Sequence, residues 1–321
     1  MKDDDTVSIT RGTYKGFSSR VMENRLIRLE TVPEIGGKLV SLLYKPAGKE
    51  WLLDSGSRPL RVPEKGTAFG DGDMSGWDEC FPTVNSCRLQ GTPEVSLPDH
   101  GELWPLPWDC RIAGDRLVSS VQSPQLPYRF TREISFSAED RIRLDYRAGN
   151  TGDQPLPFLW VPHPQFAVTE PTRILLPAGV EDMLCVFPGR TLEIGTMYSW
   201  DEHSLILPAV TGDGRKYYYP GRVPAGCSGL YGEASGSYLL VSVPPDKVPY
   251  IGVWVDEGMF NDRVTCALEP GIGYYDSLER AAGNGTAERI PAASSCSWHM
   301  ELTFGEGIHH IAAKLRREGT K

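Results

Sequence analysis

Alternation of apolar and polar positions predicts β-strands along most of the chain. Between Arg141 and Arg147, the apolar residues Ile142, Leu144 and Tyr146 alternate with charged residues. This is typical of an antiparallel strand with one buried face. The same alternation recurs over residues 297–304. Three other segments have the composition of strands: Ser237–Val243, Tyr250–Val255 and Val264–Leu268.

Turn-forming clusters separate these strands, and helical periodicity is scarce. The clusters lie at residues 149–153, 211–214 and 283–285. Short helices are predicted only over Asp276–Ala282 and Ile308–Arg317. The 34 glycines and 26 prolines among 321 residues favour many short strands joined by turns. We therefore predict an all-β fold, a large antiparallel β-sandwich with one or two short helices, forming a single domain over residues 1–321.

Charge and cysteine content narrow the class of protein. The formal net charge of −9 disfavours nucleic acid or an anionic membrane as a partner. The seven cysteines form no C-x-x-C pair, and no apolar segment resembles a secretory signal or a membrane span. We therefore expect reduced thiols in a cytoplasmic protein. No cluster of thiols and imidazoles suggests a metal site.

Two histidines stand out among the six of the chain. His100 follows Asp99 and precedes Gly101, with Trp104 close behind. His163 lies in an aromatic segment, residues 158–166, whose prolines restrict the backbone. Both histidines are candidates for proton transfer. The alternative is that each is a core histidine packed among aromatic rings.

One glutamate has a context that suits chemistry. Glu269 ends an apolar strand and precedes Pro270 and Gly271. If Val264 and its alternate neighbours face the core, Glu269 faces the opposite side and can reach a cleft. The alternative is an ordinary surface glutamate at the end of a strand.

Sugar sites combine aromatic rings with carboxylates that accept hydrogen bonds from hydroxyl groups. Trp77, Asp78 and Glu79 are consecutive, and Trp160 lies close to His163. We expect these four residues to bind substrate. The alternative for the tryptophans is core packing.

Several motifs together resemble those of the aldose 1-epimerase, or galactose mutarotase-like, proteins. They occur in the family's order between Glu34 and Ala282. The matching segments are the Gly-rich turn and strand over residues 34–42, Asp99-His100-Gly101, residues 150–157 followed by His163-Pro164-Gln165-Phe166, and Leu268-Glu269-Pro270 followed by Asp276.

The resemblance implies a fold, an activity and roles for three residues. The implied fold is the galactose mutarotase-like β-sandwich with an open sugar cleft. The implied reaction interconverts sugar anomers, with Glu269 as base, His163 as acid and His100 as a second contact near the ring oxygen. We expect no metal or other cofactor, a small-molecule sugar as partner, and a monomer or weak homodimer.

The chain departs from the family at a sugar-binding position. Better-known members have an arginine near the position of Met74–Trp77, and this chain has none there. Phe81-Pro82 resembles the hexose-phosphate branch, but acids nearby would repel a phosphate. We therefore expect a divergent subgroup with a different sugar. A non-catalytic carbohydrate-binding protein and an enzyme that cleaves glycosidic bonds between two carboxyl groups are alternatives.

Overall fold

Antiparallel strands make up most of the protein. The computed structural model describes residues 7–64, 66–89, 95–309 and 311. Within these residues the chain forms 26 strands and two short α-helices, numbered here in chain order. None of the helices among the described residues is long and apolar enough to span a membrane.

Three large sheets contain most of the strands. The seven-stranded sheet contains, in spatial order, β1 (Ser8–Tyr14), β2 (Phe17–Glu23), β3 (Ile27–Val32), β4 (Lys38–Tyr44), β6 (Trp77–Cys80) and β14 (Val161–Pro164), with β5 (Lys49–Glu50) paired to β4. The six-stranded sheet contains β15 (Phe166–Ala167), β24 (Val264–Gly271), β23 (Tyr250–Glu257), β20 (Asp213–Tyr218), β17 (Asp182–Phe187) and β18 (Met197–Ser199).

The nine-stranded sheet is the largest. Its order is β19 (Leu205–Ile206), β16 (Thr172–Leu175), β21 (Cys227–Gly232), β22 (Ser237–Ser242), β26 (Ser295–Glu306), β12 (Arg141–Asn150), β11 (Tyr128–Ala138), β10 (Arg116–Gln122) and β9 (Asp109–Ala113).

The remaining elements lie outside the three large sheets. Two pairs of short strands are β7 (Cys87–Leu89) with β8 (Val95–Leu97) and β13 (Leu156–Phe158) with β25 (Glu288–Ile290). The helices are α1 (Trp200–His203) and α2 (Leu278–Gly283), and a 3₁₀ turn lies at Phe69–Asp71.

The predicted all-β sandwich with short helices is confirmed, and each of the five predicted strands is present. The predicted helix over Asp276–Ala282 is α2, two residues later at its start. Its first turn is capped by Ser277, whose side chain accepts a hydrogen bond from the backbone of Arg280. The predicted helix over Ile308–Arg317 lies mostly outside the described residues.

The apolar faces of the three large sheets meet in a common core. One cluster of buried side chains includes Leu29 of β3, Leu144 of β12 and Val253 of β23. Aromatic rings fill its centre, where Tyr146 stacks on Trp298 with ring centroids 5.7 Å apart. Burial of this apolar surface is the main favourable term for folding.

The chain crosses from one sheet to another near His163. Strand β14 pairs with β6 of the seven-stranded sheet, and β15 pairs with β24 of the six-stranded sheet. Only Gln165 separates β14 from β15. This crossing places β14 beside β24, and with it His163 beside Glu269.

Candidate active site

Asp78 and Glu79 are neighbours on β6, and their side chains lie on opposite faces of the sheet. Asp78 is paired in register with His163 on β14, so these two side chains share a face. Glu79 bonds to Arg132 of β11 and therefore faces the nine-stranded sheet. Asp78 and His163 consequently lie on the face directed away from the inner core.

His163 joins Glu269 to Gln165. Its Nδ1 lies 2.9 Å from Glu269 Oε1, and its Nε2 lies 3.0 Å from Gln165 Nε2. The amide of Gln165 is oriented by Thr265, whose hydroxyl donates to Gln165 Oε1 at 3.1 Å. Gln165 therefore donates a hydrogen bond to Nε2 of His163. The proton of His163 lies on Nδ1, which donates a hydrogen bond to Glu269. Both ring nitrogens of His163 are thus bonded to protein side chains.

Glu269 is completely buried and paired with a lysine. Lys216 Nζ lies 2.9 Å from Glu269 Oε2 and donates to Asp276 Oδ1 at 2.7 Å. The hydroxyl of Tyr218 donates to the same oxygen of Asp276 at 2.6 Å. Burial alone would raise the pKa of Glu269, but the charge of Lys216 and the hydrogen bond from His163 lower it to about 2. Glu269 is therefore ionised at neutral pH.

A glycine makes room for this arrangement. Tyr218, Gly252 and Glu269 lie opposite one another on three neighbouring strands. A Cβ atom at Gly252 would lie 2.8 Å from the ring of Tyr218 and 3.0 Å from Glu269 Oε2. The missing side chain lets the tyrosine ring and the carboxylate approach each other across β23.

His100 reaches the same site from a loop. Its backbone is left-handed, with φ of 58°, and Gly101 follows with φ of 75°. A Cβ atom at residue 101 would lie 2.2 Å from the carbonyl oxygen of Phe81, so the close approach requires glycine there. The ring of His100 stacks on Phe69 at a centroid distance of 4.1 Å and lies 4.8 Å from the ring of His163.

Asp99 accompanies His100 in the site. His100 Nδ1 lies 3.0 Å from Asp99 Oδ1. Burial lowers the pKa of His100, and the charge of Lys216 acts in the same direction, while Asp99 opposes them. The neutral form of His100 is therefore favoured at neutral pH.

A buried lysine occupies the place next to Asp78. Lys38 Nζ lies 2.8 Å from Asp73 Oδ2, 3.0 Å from Asp78 Oδ2 and 3.1 Å from the carbonyl oxygen of Ser75. This cation from β4 is adjacent to the Met74–Glu79 stretch, which has no arginine of its own. Burial raises the pKa of Asp78 to about 6, although Lys38 opposes the shift. Within the described chain, no hydrogen bond reaches Asp78 Oδ1.

The structure brings four of the seven predicted site residues together: His100, His163, Glu269 and Asp78. Trp77, Glu79 and Trp160 lie in the inner core instead. Trp77 packs edge-on against Phe166, with ring centroids 5.9 Å apart. Glu79 accepts hydrogen bonds from Trp160 Nε1 at 2.9 Å, from Tyr146 at 3.0 Å and from Arg132 at 3.1 Å.

Three residues of the site were not among those predicted from the sequence: Lys38, Gln165 and Lys216. Lys216 had only a weak signal, because its strand also contains the charged residues Asp213 and Arg215. Gln165 is two residues from His163, a spacing that places both side chains near one another. Lys38 had no local signal, because its partners are 35 and 40 residues away. Among the described residues, no group of three or more His, Cys, Asp or Glu side chains could hold a metal.

Comparisons with known proteins bear on the fold. No protein-family profile and no curated protein matches the chain. Among solved structures, a candidate aldose 1-epimerase from Klebsiella pneumoniae is similar over 99% of this chain and 89% of that one, with a TM-score of 0.76 and 12% identity. A galactose mutarotase-like protein from Clostridium acetobutylicum is similar over 94% and 99%, with a TM-score of 0.66 and 12% identity.

A third similar structure is the Slr1438 protein from Synechocystis, which covers 94% of this chain and 97% of its own length. Its TM-score is 0.68 at 18% identity. The low identities agree with a divergent sequence, and the coverage extends over nearly the whole chain. The protein therefore has the galactose mutarotase-like fold that its motifs resemble.

Proposed function

We propose that the protein is a mutarotase of the aldose 1-epimerase type, which interconverts the anomers of a sugar. The observation that carries this proposal is the 2.9 Å contact between His163 and Glu269, with His100 in ring contact on the same face. A carboxylate and two imidazoles supply the base and the acid that ring opening needs. Structural neighbours named as candidate aldose 1-epimerases or mutarotase-like proteins support it.

The chemistry follows from the charge states of the groups. Glu269 is ionised, so it can take the proton of the anomeric hydroxyl. An imidazole of the His100–His163 pair protonates the ring oxygen, and the C1–ring oxygen bond opens. Rotation about C1–C2 and closure on the other face return both protons. Such acid and base groups typically contribute about 10²–10⁴-fold each.

The charges at the site favour a sugar without a phosphate or carboxylate. Lys38 and Lys216 are each held between two carboxylates: Asp73 and Asp78 for the first, Glu269 and Asp276 for the second. The carboxylates outnumber the lysines, so an anionic ligand would be repelled. Asp78 Oδ1 has free acceptor capacity for a sugar hydroxyl.

The aromatic contact to the sugar needs rings on the outer face. Trp77 and Trp160, expected from the sequence to bind substrate, are packed in the core, as is Glu79. Tyr275 is only half-buried and lies 5.1 Å from the ring of Tyr218, beside Asp276. We propose Tyr275 as the aromatic surface for the sugar.

A second candidate function is supported by the same site. Both nitrogens of His163 and both carboxylate oxygens of Glu269 already contact protein groups. Contacts of this kind within the protein are compatible with a carbohydrate-binding protein that performs no chemistry. We also propose a cytoplasmic location, as expected from the sequence, because the seven cysteines, all of them described, form no disulfide with one another.

Proton NMR of anomer exchange tests both candidates. The panel contains neutral hexoses, pentoses, deoxy sugars and acidic sugars, each with wild type and Glu269→Gln. We expect the wild type to accelerate exchange of a neutral sugar, and the variant to lose about 10²–10⁴-fold while retaining sugar binding. Glu181→Gln, at an exposed glutamate on the surface, is the matched control.

Two results would contradict the enzyme. Unchanged exchange in Glu269→Gln would remove this residue from the mechanism. Binding shifts without acceleration by the wild type, on any sugar of the panel, would identify the binding protein instead.

A further inference from the structure

The two imidazoles of the site differ in how many ring nitrogens remain free. A ring nitrogen can take part in one hydrogen bond, whereas each carboxylate oxygen has two acceptor positions. Glu269 can therefore accept a further hydrogen bond from a sugar hydroxyl in spite of its contacts with His163 and Lys216. His163 has no such reserve, because both of its nitrogens are occupied.

The bonds of His163 form a continuous chain that resists rearrangement. Thr265 donates to Gln165, Gln165 donates to His163, and His163 donates to Glu269. All four side chains are buried. To reach a substrate, His163 would have to break one of these bonds and leave a buried partner unsatisfied, which is costly.

His100 is arranged in the opposite way. Its Nδ1 lies 3.0 Å from Asp99 Oδ1, a close contact between opposite charges in the imidazolium form but without hydrogen-bond geometry, and no group in the described part of the chain is bonded to its Nε2. The second oxygen of Asp99 accepts a hydrogen bond from the backbone of Phe69 at 2.8 Å. The ring of Phe69 stacks on His100 with an interplanar angle of 12°. Asp99 thus holds the imidazole and the ring that stacks on it, and one nitrogen stays available.

We propose that His100, positioned by Asp99, transfers the proton at the sugar ring oxygen, and that His163 is a positioning residue that holds Glu269. This assignment rests on the proposed mutarotase function and differs from the one that the family resemblance implies, in which His163 is the acid. It gives a catalytic role to His100 and a positioning role to Asp99.

The proton balance closes without any co-reactant. Glu269 removes the proton of the anomeric hydroxyl while the imidazolium form of His100, the minor form at neutral pH because its pKa is lowered, protonates the ring oxygen. The electron pair of the C1–ring oxygen bond goes to that oxygen. A carbonyl forms at C1. After rotation about C1–C2, His100 takes the proton back as the hydroxyl attacks C1, and Glu269 returns its proton to the carbonyl oxygen.

The pH dependence follows from the groups around His100, which are Asp99, Asp78, His163 and Lys216. Burial holds the pKa of His100 below its usual value near 6.5, and Asp99 opposes this shift. The rate should fall as pH rises through that lowered pKa, because the imidazolium is lost. Asp99→Asn removes the opposing charge, so it should move this alkaline limb to still lower pH.

Anomer-exchange rates of three variants test the assignment. His100→Asn suits the left-handed backbone at this position and should lose about 10²–10⁴-fold. His163→Asn keeps a donor near Glu269 and should lose only about tenfold, whereas His163→Leu, which cannot donate, should lose clearly more. Near-UV circular dichroism checks that each variant is folded.

The outcomes separate the two levels of the proposal. A His100→Asn rate within a few-fold of wild type, or equal large losses in His100→Asn and His163→Asn, would overturn the assignment and leave the mutarotase intact. Should His100→Asn fail to fold, the Asp99→Asn profile decides, and an unmoved alkaline limb counts against the assignment. Wild-type protein without exchange on any sugar would overturn the proposed function, and this assignment with it.

Discussion

Two buried ionic clusters lie on opposite faces of β6, and they differ in how fully their polar atoms are bonded. On the inner face, Glu79 accepts three hydrogen bonds, from Arg132, Tyr146 and Trp160. On the outer face, Asp78 Oδ2 lies 3.0 Å from Lys38 Nζ. Its other oxygen receives no bond from the described residues, although its side chain is 1% exposed.

The difference separates structural from functional groups better than burial does. A buried carboxylate whose two oxygens both accept hydrogen bonds from core side chains fixes the packing of two sheets. A buried carboxylate oxygen without a hydrogen bond destabilises the folded protein. Such an oxygen is expected where a bound ligand supplies the missing hydrogen bond. On this criterion, Glu79 is part of the core and Asp78 is part of the site.

The largest effect on stability is expected from Arg132→Met. The side chain of Arg132 is 0% exposed, and its loss leaves Glu79 as a buried charge without a cation. Removal of one partner of a buried ion pair costs about 3–5 kcal/mol. Urea unfolding measures the loss. The double variant Glu79→Gln/Arg132→Met removes both charges and should recover part of it. A single variant as stable as wild type would show that the inner cluster is not structural.

A shift of the pH–rate profile is expected from Lys216→Met. Lys216 helps to keep the pKa of Glu269 low, so its removal should raise that pKa. The base is active only when ionised, and the acid limb of the rate profile should therefore move to higher pH, by about one unit or more. Anomer exchange between pH 3 and pH 8 measures the shift. Lys216→Arg keeps the charge and should leave the limb closer to wild type, and an unmoved limb in Lys216→Met would contradict the pairing.

A smaller change, in the pH dependence of stability, is expected from Asp78→Asn. The folded protein raises the pKa of Asp78 to about 6, so it keeps a proton that the unfolded chain loses near pH 4. Wild-type stability should fall as pH rises through this window, by about 2 kcal/mol from this group, and stay lowered above it. Asp78→Asn should abolish that contribution. Urea unfolding at pH 4.5 and pH 7 compares the two proteins, and identical pH dependence would show that Asp78 has an ordinary pKa.

The smallest effect is expected from Gly252→Ala. The added methyl group would lie 2.8 Å from the ring of Tyr218 and 3.0 Å from Glu269, so both must shift slightly. We expect anomer exchange to slow by about tenfold, with a stability loss of about 1 kcal/mol. Gly149→Ala is the matched control, because its nearest neighbour lies at 3.8 Å. Equal rates in the two variants would show that Glu269 tolerates displacement.

Five of the 26 strands in the described residues were predicted, because each of the five has a clear local pattern. The alternation over Arg141–Arg147 and around Glu269 correctly placed Leu144 and Leu268 in the core. Register and sheet order could not be predicted in the same way, since they depend on segments distant in sequence. The crossing of the chain between β14 and β15, which brings His163 to Glu269, is an example.

The site residues also differ in whether their local sequence could predict them. His100, His163 and Glu269 could be selected from their local contexts and from their resemblance to known motifs. Lys216 and Lys38 could not be selected in this way. They belong to the site through ion pairs with carboxylates that are 35 to 60 residues away in the sequence. Trp77 and Trp160 were candidates for sugar contacts. A tryptophan can pack in a core or line a sugar cleft, and the residue type alone does not show which of these it does.

Asp78 and Glu79 show where local information ends. The amino-acid sequence specifies that two adjacent acids follow Trp77 on a strand, and the strand period of two residues requires them to point in opposite directions. Which acid points inward depends on the pairing of Asp78 with His163 and on the position of Arg132 across the core. The amino-acid sequence thus determines which acidic groups are available. Packing between strands that are distant in the sequence determines that Glu79 lies in the core and Asp78 in the site.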